Sequence, residues 1–351
     1  MLQGEFWYNR FVMKKRVRLG ILLLIIFGGY ALRVHQLDRF SFWLDEGLTP
    51  LRSSYAVRAI LSNVIVIQAA NSQDTHPPLY YLLIHLTRQL FGTSDFAFRY
   101  PSVLLSVLLI PVLARFGRKV SVAFIRLTTK ARRREDITLT TEHLFSLLIA
   151  LLVAINPQQI WYAQEARMYS QLVLLMAVAS YILWDAWHNP ARPLWQSVMG
   201  YAVFAGLAAY THYTALFLIV GQSPMWLWLL WRSGQKRLIL AGGAGAVVAV
   251  MPFAPFVIKR LLGPDETSYF PVAPQVFIAD IVRGFGFGRT VDYTHPSITF
   301  LLLMLSAILL YGIWRAQRAT RLFLLIYLLA TVFGLMAGSY IFKPMYLGPH
   351  H

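Results

Sequence analysis

Phe42-Trp43-Leu44-Asp45-Glu46-Gly47 places two adjacent carboxylates directly past the first long apolar run of the chain, residues 19–34. Ionisable groups at a membrane boundary are costly, so each needs a role. Two further polar knots follow at long apolar intervals. One is Asp74-Thr75-His76-Pro77-Pro78-Leu79-Tyr80-Tyr81; the other is Tyr162-Ala163-Gln164-Glu165-Ala166-Arg167-Met168-Tyr169. If the three knots share one face of a membrane, they form a site, and the fold must bring them together.

The composition requires a membrane. Of 351 residues, 57% are hydrophobic and 13% charged, against about a quarter charged in soluble domains. A soluble fold could not hide that much apolar surface, so the sequence predicts an all-α, polytopic integral membrane protein. The chain has no cysteine, which excludes disulfides and thiolate chemistry. The basic N-terminal stretch is long, and no small-residue cleavage site follows the apolar run, so the first helix reads as retained.

Lysines and arginines orient the spans. Lys14, Lys15, Arg16 and Arg18 precede the first span and place the N-terminus inside. Nine spans are expected, at 19–34, 100–117, 141–157, 168–187, 198–211, 213–231, 238–257, 296–314 and 322–342. Segments 54–70 and 78–91 are read as helices lying on or dipping into the outer face. The second is about 14 residues, roughly 21 Å, too short for about 30 Å of hydrocarbon. Keeping it out of the membrane also keeps Arg115, Arg118, Lys119, Arg126, Lys130, Arg132, Arg133 and Arg134 inside. The net charge of +17 is thereby explained by orientation and by attraction to anionic lipid headgroups. No nucleic-acid partner is needed.

The expected organisation is a basic cytoplasmic tail (1–18), a transmembrane catalytic module (19–342) with external loops 35–99 and 258–295, and an external C-terminal end (343–351). All three knots and Thr211-His212-Tyr213 then face outward, on the outer side of a plasma (inner) membrane. Each knot has a plain reading and a chemical one. Asp45 and Glu46 suit a helix N-terminus, or a general base that deprotonates an acceptor. Asp74 and Thr75 suit a cap and the prolines a first turn. His76 between them suits phosphate, a metal or an acceptor. Glu165 and Arg167 suit an ion pair, and Arg167 and Arg99 suit a lipid-linked phosphate. His212 suits a satisfied polar residue in a bundle, or a substrate ligand. A divalent metal ion stays open as a cofactor, but no ligand spacing supports one. There is no phosphate loop: Gly242-Gly243-Ala244-Gly245 lies in an apolar span.

These residues resemble the membrane glycosyltransferases of the GT-C superfamily, specifically family 39, the group of the protein O-mannosyltransferases, related to the aminoarabinose transferases of lipid A. Trp43-Leu44-Asp45-Glu46 is similar to the family's Asp-Glu motif in the first external loop. Asp74-Thr75-His76-Pro77-Pro78-Leu79 is similar to its His-Pro-Pro motif. Phe98-Arg99-Tyr100-Pro101-Ser102 resembles its arginine-proline helix start, and residues 161–169 resemble the signature of its prokaryotic members. The resemblance covers roughly residues 17 to 260. It implies a polyprenyl-phosphate-linked sugar donor, inversion at the anomeric carbon, and an acceptor that is a protein, lipid or glycan. It implies Asp45 as the base that deprotonates the acceptor, and Arg99 and Arg167 as candidates for the lipid phosphate. With the knots, the expected site has Asp45 and Glu46 as catalytic residues and Asp74, His76, Arg99, Gln164, Glu165, Arg167, Tyr169 and His212 as substrate-binding residues. Family members usually continue with more spans or a soluble external domain, so either a compact or a truncated member is expected. The competing readings are a transporter of lipid-linked sugar and a silent assembly subunit. Transporters hold charged sites near the midplane, whereas these acids lie at the rim.

Overall fold

In a bilayer every backbone polar group must be satisfied within the protein, so long apolar runs become helices. The computed structural model describes residues 15–67, 70–73, 76–128, 135–189, 192–235, 237–238, 251, 254, 258, 272–287 and 295–341. The protein is an integral membrane protein, helical apart from one small hairpin among the described residues.

Helix α1 (Lys15–Val34) leads into a segment of short elements. That segment holds α2 (Leu44–Ser53), α3 (Val57–Leu61), strands β1 (Val64–Ile67) and β2 (Ala70–Gln73), and α4 (Leu79–Phe91). The long helix α5 (Asp95–Thr128) follows, then α6 (Glu135–Ile155), α7 (Pro157–Ala163), α8 (Tyr169–His188), α9 (Leu194–Ala209) and α10 (Ala215–Arg232). Beyond these come α11 (Pro274–Phe287), α12 (Pro296–Arg315) and α13 (Arg318–Ile341).

Eight of the nine expected spans coincide with described helices; that at 238–257 lies almost wholly outside the described residues. By length and apolarity the number is smaller. Five described helices are able to cross a bilayer: α1, α5 over Asp95–Ser121, α8, α12 and α13. A sixth arises if Thr141–Ile155 and α7, bent by 55°, are counted together. The bend has a cause: Pro157 has no N–H to continue the helix, and the Asn156 side chain caps the new one at Gln159. The basic stretch from Arg115 onward is not wholly a loop, since α5 runs helical as far as Thr128.

The segment after α1 corrects one expectation. Residues 54–70 are not one surface helix. Asn63 adopts φ 57° and ends α3, as asparagine tolerates the left-handed region. Val64-Ile65-Val66-Ile67 then pairs antiparallel with Ala70-Asn71-Ser72-Gln73. A run of four β-branched residues favours a strand over a helix. The short α4 forms as expected, at 13 residues, with Tyr80, Tyr81, Ile84 and Thr87 buried.

Helix α5 is the hub, packing on α6, α8, α7, α1 and α4. Two polar locks join α1 to the bent pair. Buried Arg33 donates from Nε to Ser106 Oγ (2.8 Å) and from Nη1 to the Gly29 and Ala154 carbonyls (2.9 and 2.8 Å). Its Nη2 reaches the Val153 carbonyl (3.0 Å). Val153 and Ala154 belong to the last turn of α6, where carbonyls lack intrahelical partners. In return, Gln164 Nε2 donates to the His35 carbonyl (2.9 Å) just past α1. Gly29 permits this approach, because a Cβ there would lie 2.7 Å from Ile110 Cδ1 and 3.1 Å from Ala154 Cβ.

The cysteine-free background makes single cysteines clean topology reporters. Thr93 and Asn189 are exposed and lie at opposite ends of the α5–α8 bundle. The charge distribution predicts that an impermeant maleimide labels Thr93→Cys from outside intact cells, and Asn189→Cys only after permeabilisation. The opposite pattern would invert the protein in the membrane.

Candidate active site

The start of α2 separates the two adjacent acids. Consecutive helical residues differ by about 100°, so Asp45 and Glu46 face different surroundings. Glu46 points inward and is 1% exposed. Arg99, near the start of α5, grips it with both prongs: Nε to Oε1 at 2.7 Å and Nη2 to Oε2 at 2.8 Å. The Ala166 N–H also donates to Oε1 at 2.7 Å. Arg99 Nη1 takes the Leu37 and Phe40 carbonyls, both at 2.8 Å, and its guanidinium lies 4.8 Å from the Phe42 ring centre. One bidentate pair thus joins the loop after α1, the start of α2, the start of α5 and the 164–168 turn.

Arg99 is therefore committed to protein atoms on every nitrogen. Its expected place at a lipid phosphate is filled by the Glu46 carboxylate. Arg167 is also buried, at 2% exposed. Its Nη1 donates to the Asp45 carbonyl at 2.9 Å, and its side chain is hydrogen-bonded to Tyr169. Ser102 Oγ donates to the Arg167 carbonyl (3.1 Å), so the 2.8 Å contact with Tyr80 is the tyrosine hydroxyl donating to Ser102. Glu165 accepts from Trp161 Nε1 at 2.7 Å and is buried. Gln164 is spent on α1, as described above.

Asp45 differs from all of these. It is half-exposed, and among the described residues its carboxylate makes no hydrogen bond or ion pair. Its backbone is held by Arg167, which also bonds the Tyr169 side chain, while its own side chain is open.

The His-Pro-Pro and His212 turns meet beside it. The Leu79 N–H donates to the Tyr210 carbonyl at 3.1 Å, bringing the rings of His76 and His212 to 5.5 Å. Arg52, fully buried, donates from Nη1 to the His76 carbonyl at 2.9 Å and from Nη2 to Ile60 O at 3.2 Å. It also bonds Asn63 Oδ1 and stacks 4.0 Å from the Tyr81 ring centre. His212 Nδ1 accepts from the Thr214 N–H (3.2 Å) and contacts Thr214 Oγ1 (2.8 Å). A backbone N–H can only donate, so Nδ1 carries no proton and the imidazole is neutral with Nε2–H. Partial burial pushes its pKa below the ordinary value, with His76 and then Arg167 adding in the same direction. Asp74 lies outside the described residues. Among the described residues, no three His, Asp or Glu side chains converge as a metal site.

Asp45, Glu46, His76, Arg99, Arg167, Tyr169 and His212 are therefore gathered at one end of the bundle, with Gln164 and Glu165 bracing the turn. Tyr80 and Ser102, within quoted motifs but given no role there, also shape this end, as do Arg33, Arg52 and Thr214, which lie in none. Arg33 had one available signal, as a lone arginine at the end of an apolar run.

The fold has a likeness among solved membrane-protein structures. No protein-family model matches the chain, and no curated protein does. Among solved structures the chain is similar to ArnT from Cupriavidus metallidurans, bound to undecaprenyl phosphate. The identity is 16%, covering 94% of this chain and 57% of that one, with a TM-score of 0.57. It is also similar to the Pmt1–Pmt2 protein O-mannosyltransferase complex of S. cerevisiae bound to the sugar donor. That identity is 16%, covering 80% of this chain and 38% of that chain, with a TM-score of 0.49.

The Glu46–Arg99 pair makes a stability prediction. Arg99→Leu leaves a buried carboxylate unpaired, and Glu46→Leu leaves a buried guanidinium unpaired. Each should destabilise by about 3–5 kcal/mol, read from unfolding in detergent. Arg99→Lys should rescue only partly, because an ammonium cannot make the two-pronged bond. Unfolding at the wild-type temperature in all three variants would deny the pair its anchoring role.

Proposed function

We propose that the protein is a glycosyltransferase that moves a sugar from a polyprenyl-phosphate donor to an acceptor at the outer face of a plasma (inner) membrane. The observation that carries this reading is the division of labour between the adjacent acids. Glu46 is consumed by the fold, while Asp45 is held by its own carbonyl and presents an open carboxylate. A polyprenyl-phosphate sugar is already activated by its leaving group, so the site needs no nucleophilic side chain. It needs a base aimed at the acceptor, at the depth of the headgroups.

In this reading Asp45 accepts the proton of an acceptor hydroxyl or amine as that atom bonds to the anomeric carbon. The carbon–oxygen bond to phosphate breaks on the opposite face, so the configuration inverts and polyprenyl phosphate leaves. The charge of Arg167 beside Asp45 and Tyr169 favours the negative charge that develops on the leaving phosphate. His76 and His212 line the same rim and contact substrate. Asp74 is kept as a binding residue on sequence grounds. Support for a lipid-linked donor comes from the ArnT likeness, since that protein was solved with undecaprenyl phosphate.

The expected outcome for Asp45→Asn is intact folding and donor binding with turnover of radiolabelled sugar lowered by roughly 10²–10⁴, the usual worth of a general base. Glu46→Gln should act differently, through lost stability rather than through a pure turnover defect. Near-normal transfer by Asp45→Asn would remove Asp45 from the mechanism.

A further inference from the structure

Around Asp45 the rim is mostly sealed: Ala163, Glu165, Ala166, Arg167, Met168 and Ser170 are all buried. Four rings interrupt that seal, and each is half-exposed: Tyr162, Tyr169, His212 and His76. They form a continuous series. Tyr162 and Tyr169 have ring centres 4.7 Å apart, Tyr169 and His212 6.3 Å, and His212 and His76 5.5 Å. All three pairs are tilted, with interplanar angles of 41°, 48° and 46°. Aromatic side chains at a membrane boundary usually point outward as anchors. Trp43, Trp161 and Phe40 do so here, at 37%, 44% and 70% exposed. The four rings behave otherwise, facing one another across the turns that bracket Asp45.

We propose that Tyr162, Tyr169, His212 and His76 form a stacking platform for a pyranose ring, and that this ring is the sugar of the lipid-linked donor. A pyranose has an apolar face of C–H groups carrying slight positive charge, and an aromatic face is apolar and slightly negative. Neutral His212 suits this role. It carries no cationic charge and offers one fixed donor, Nε2–H, to a sugar oxygen. A cationic imidazole would favour a phosphate instead. Arg167 bonds both the Asp45 carbonyl and the Tyr169 side chain, which ties the platform to the turn that carries the base. This favours the donor sugar over a sugar carried by an acceptor. The inference rests on the glycosyltransferase reading and adds what the site recognises.

The test compares three ligands on the full chain in nanodiscs: polyprenyl-phosphate mannose, bare polyprenyl phosphate, and free mannose. The platform predicts that the wild type binds the sugar-bearing lipid about three- to tenfold more tightly than the bare lipid, the scale of one aromatic stacking contact. Tyr162→Leu and His212→Leu should each reduce that ratio towards one. Tyr162→Phe should retain it, because the ring face remains. An equal affinity for both lipids in the wild type, or an unchanged ratio in both leucine variants, overturns the platform. Tighter binding of free mannose than of the mannose-bearing lipid would overturn the assignment to the donor. Binding of neither lipid would instead remove the lipid-linked donor reading, and the platform with it.

Discussion

A carboxylate cannot be stripped of water at a membrane rim without a partner that replaces its solvation. The desolvation penalty is several kcal/mol per ion, and Glu46 meets it with a two-pronged arginine and a backbone N–H. This pair is the constraint on which the end of the bundle that gathers the candidate site depends. Its members are 53 residues apart in sequence, and its third contact, Ala166, lies 120 residues from Glu46. Satisfying one buried acid therefore fixes the relative positions of three separate chain segments. Asp45 becomes available because Glu46 is not.

The same logic recurs at lower stakes around the pair. Arg33 supplies the last turn of α6 with the donors that the bend at Pro157 removes. Gln164 does so for α1, and Arg52 for the turns that end at Ile60 and His76. Each lock spends a polar side chain on backbone carbonyls, which in a low-dielectric setting are expensive to leave unpaired. The consequence is a rim whose backbone is held from several directions, with the Asp45 carboxylate and four half-exposed rings among the groups it presents. Rigid support behind an open reactive group is what positioning a base requires.

The helical membrane architecture was legible in the length and spacing of the apolar runs, and the gathering of the knots on one face followed from lysine and arginine placement. The role of Arg99 was not. An arginine opening a helix at the rim is equally suited to a phosphate or a carboxylate, and only the three-dimensional approach of Glu46 decides between them. The hairpin at 64–73 escaped notice because a helical period over 54–70 masks both the break at Asn63 and the β-branched run after it. Arg33 was hidden by its place within an apolar span, where it reads as an interface residue instead of a cap for a distant helix. Tyr162 carried no signal beyond its neighbours, since stacking between rings from different turns has no sequence period.

The central claim is that the open carboxylate of Asp45, and not Glu46 or a residue elsewhere in the bundle, faces the reacting carbon. A cryo-electron microscopy structure of the chain in a nanodisc with a non-transferable polyprenyl-phosphonate sugar tests this directly. The account predicts the anomeric carbon within roughly 6 Å of the Asp45 carboxylate, leaving room for one acceptor atom between them. A sugar seated at the other end of the bundle, or at the rim with Asp45 turned away and Glu46 released from Arg99, would contradict it.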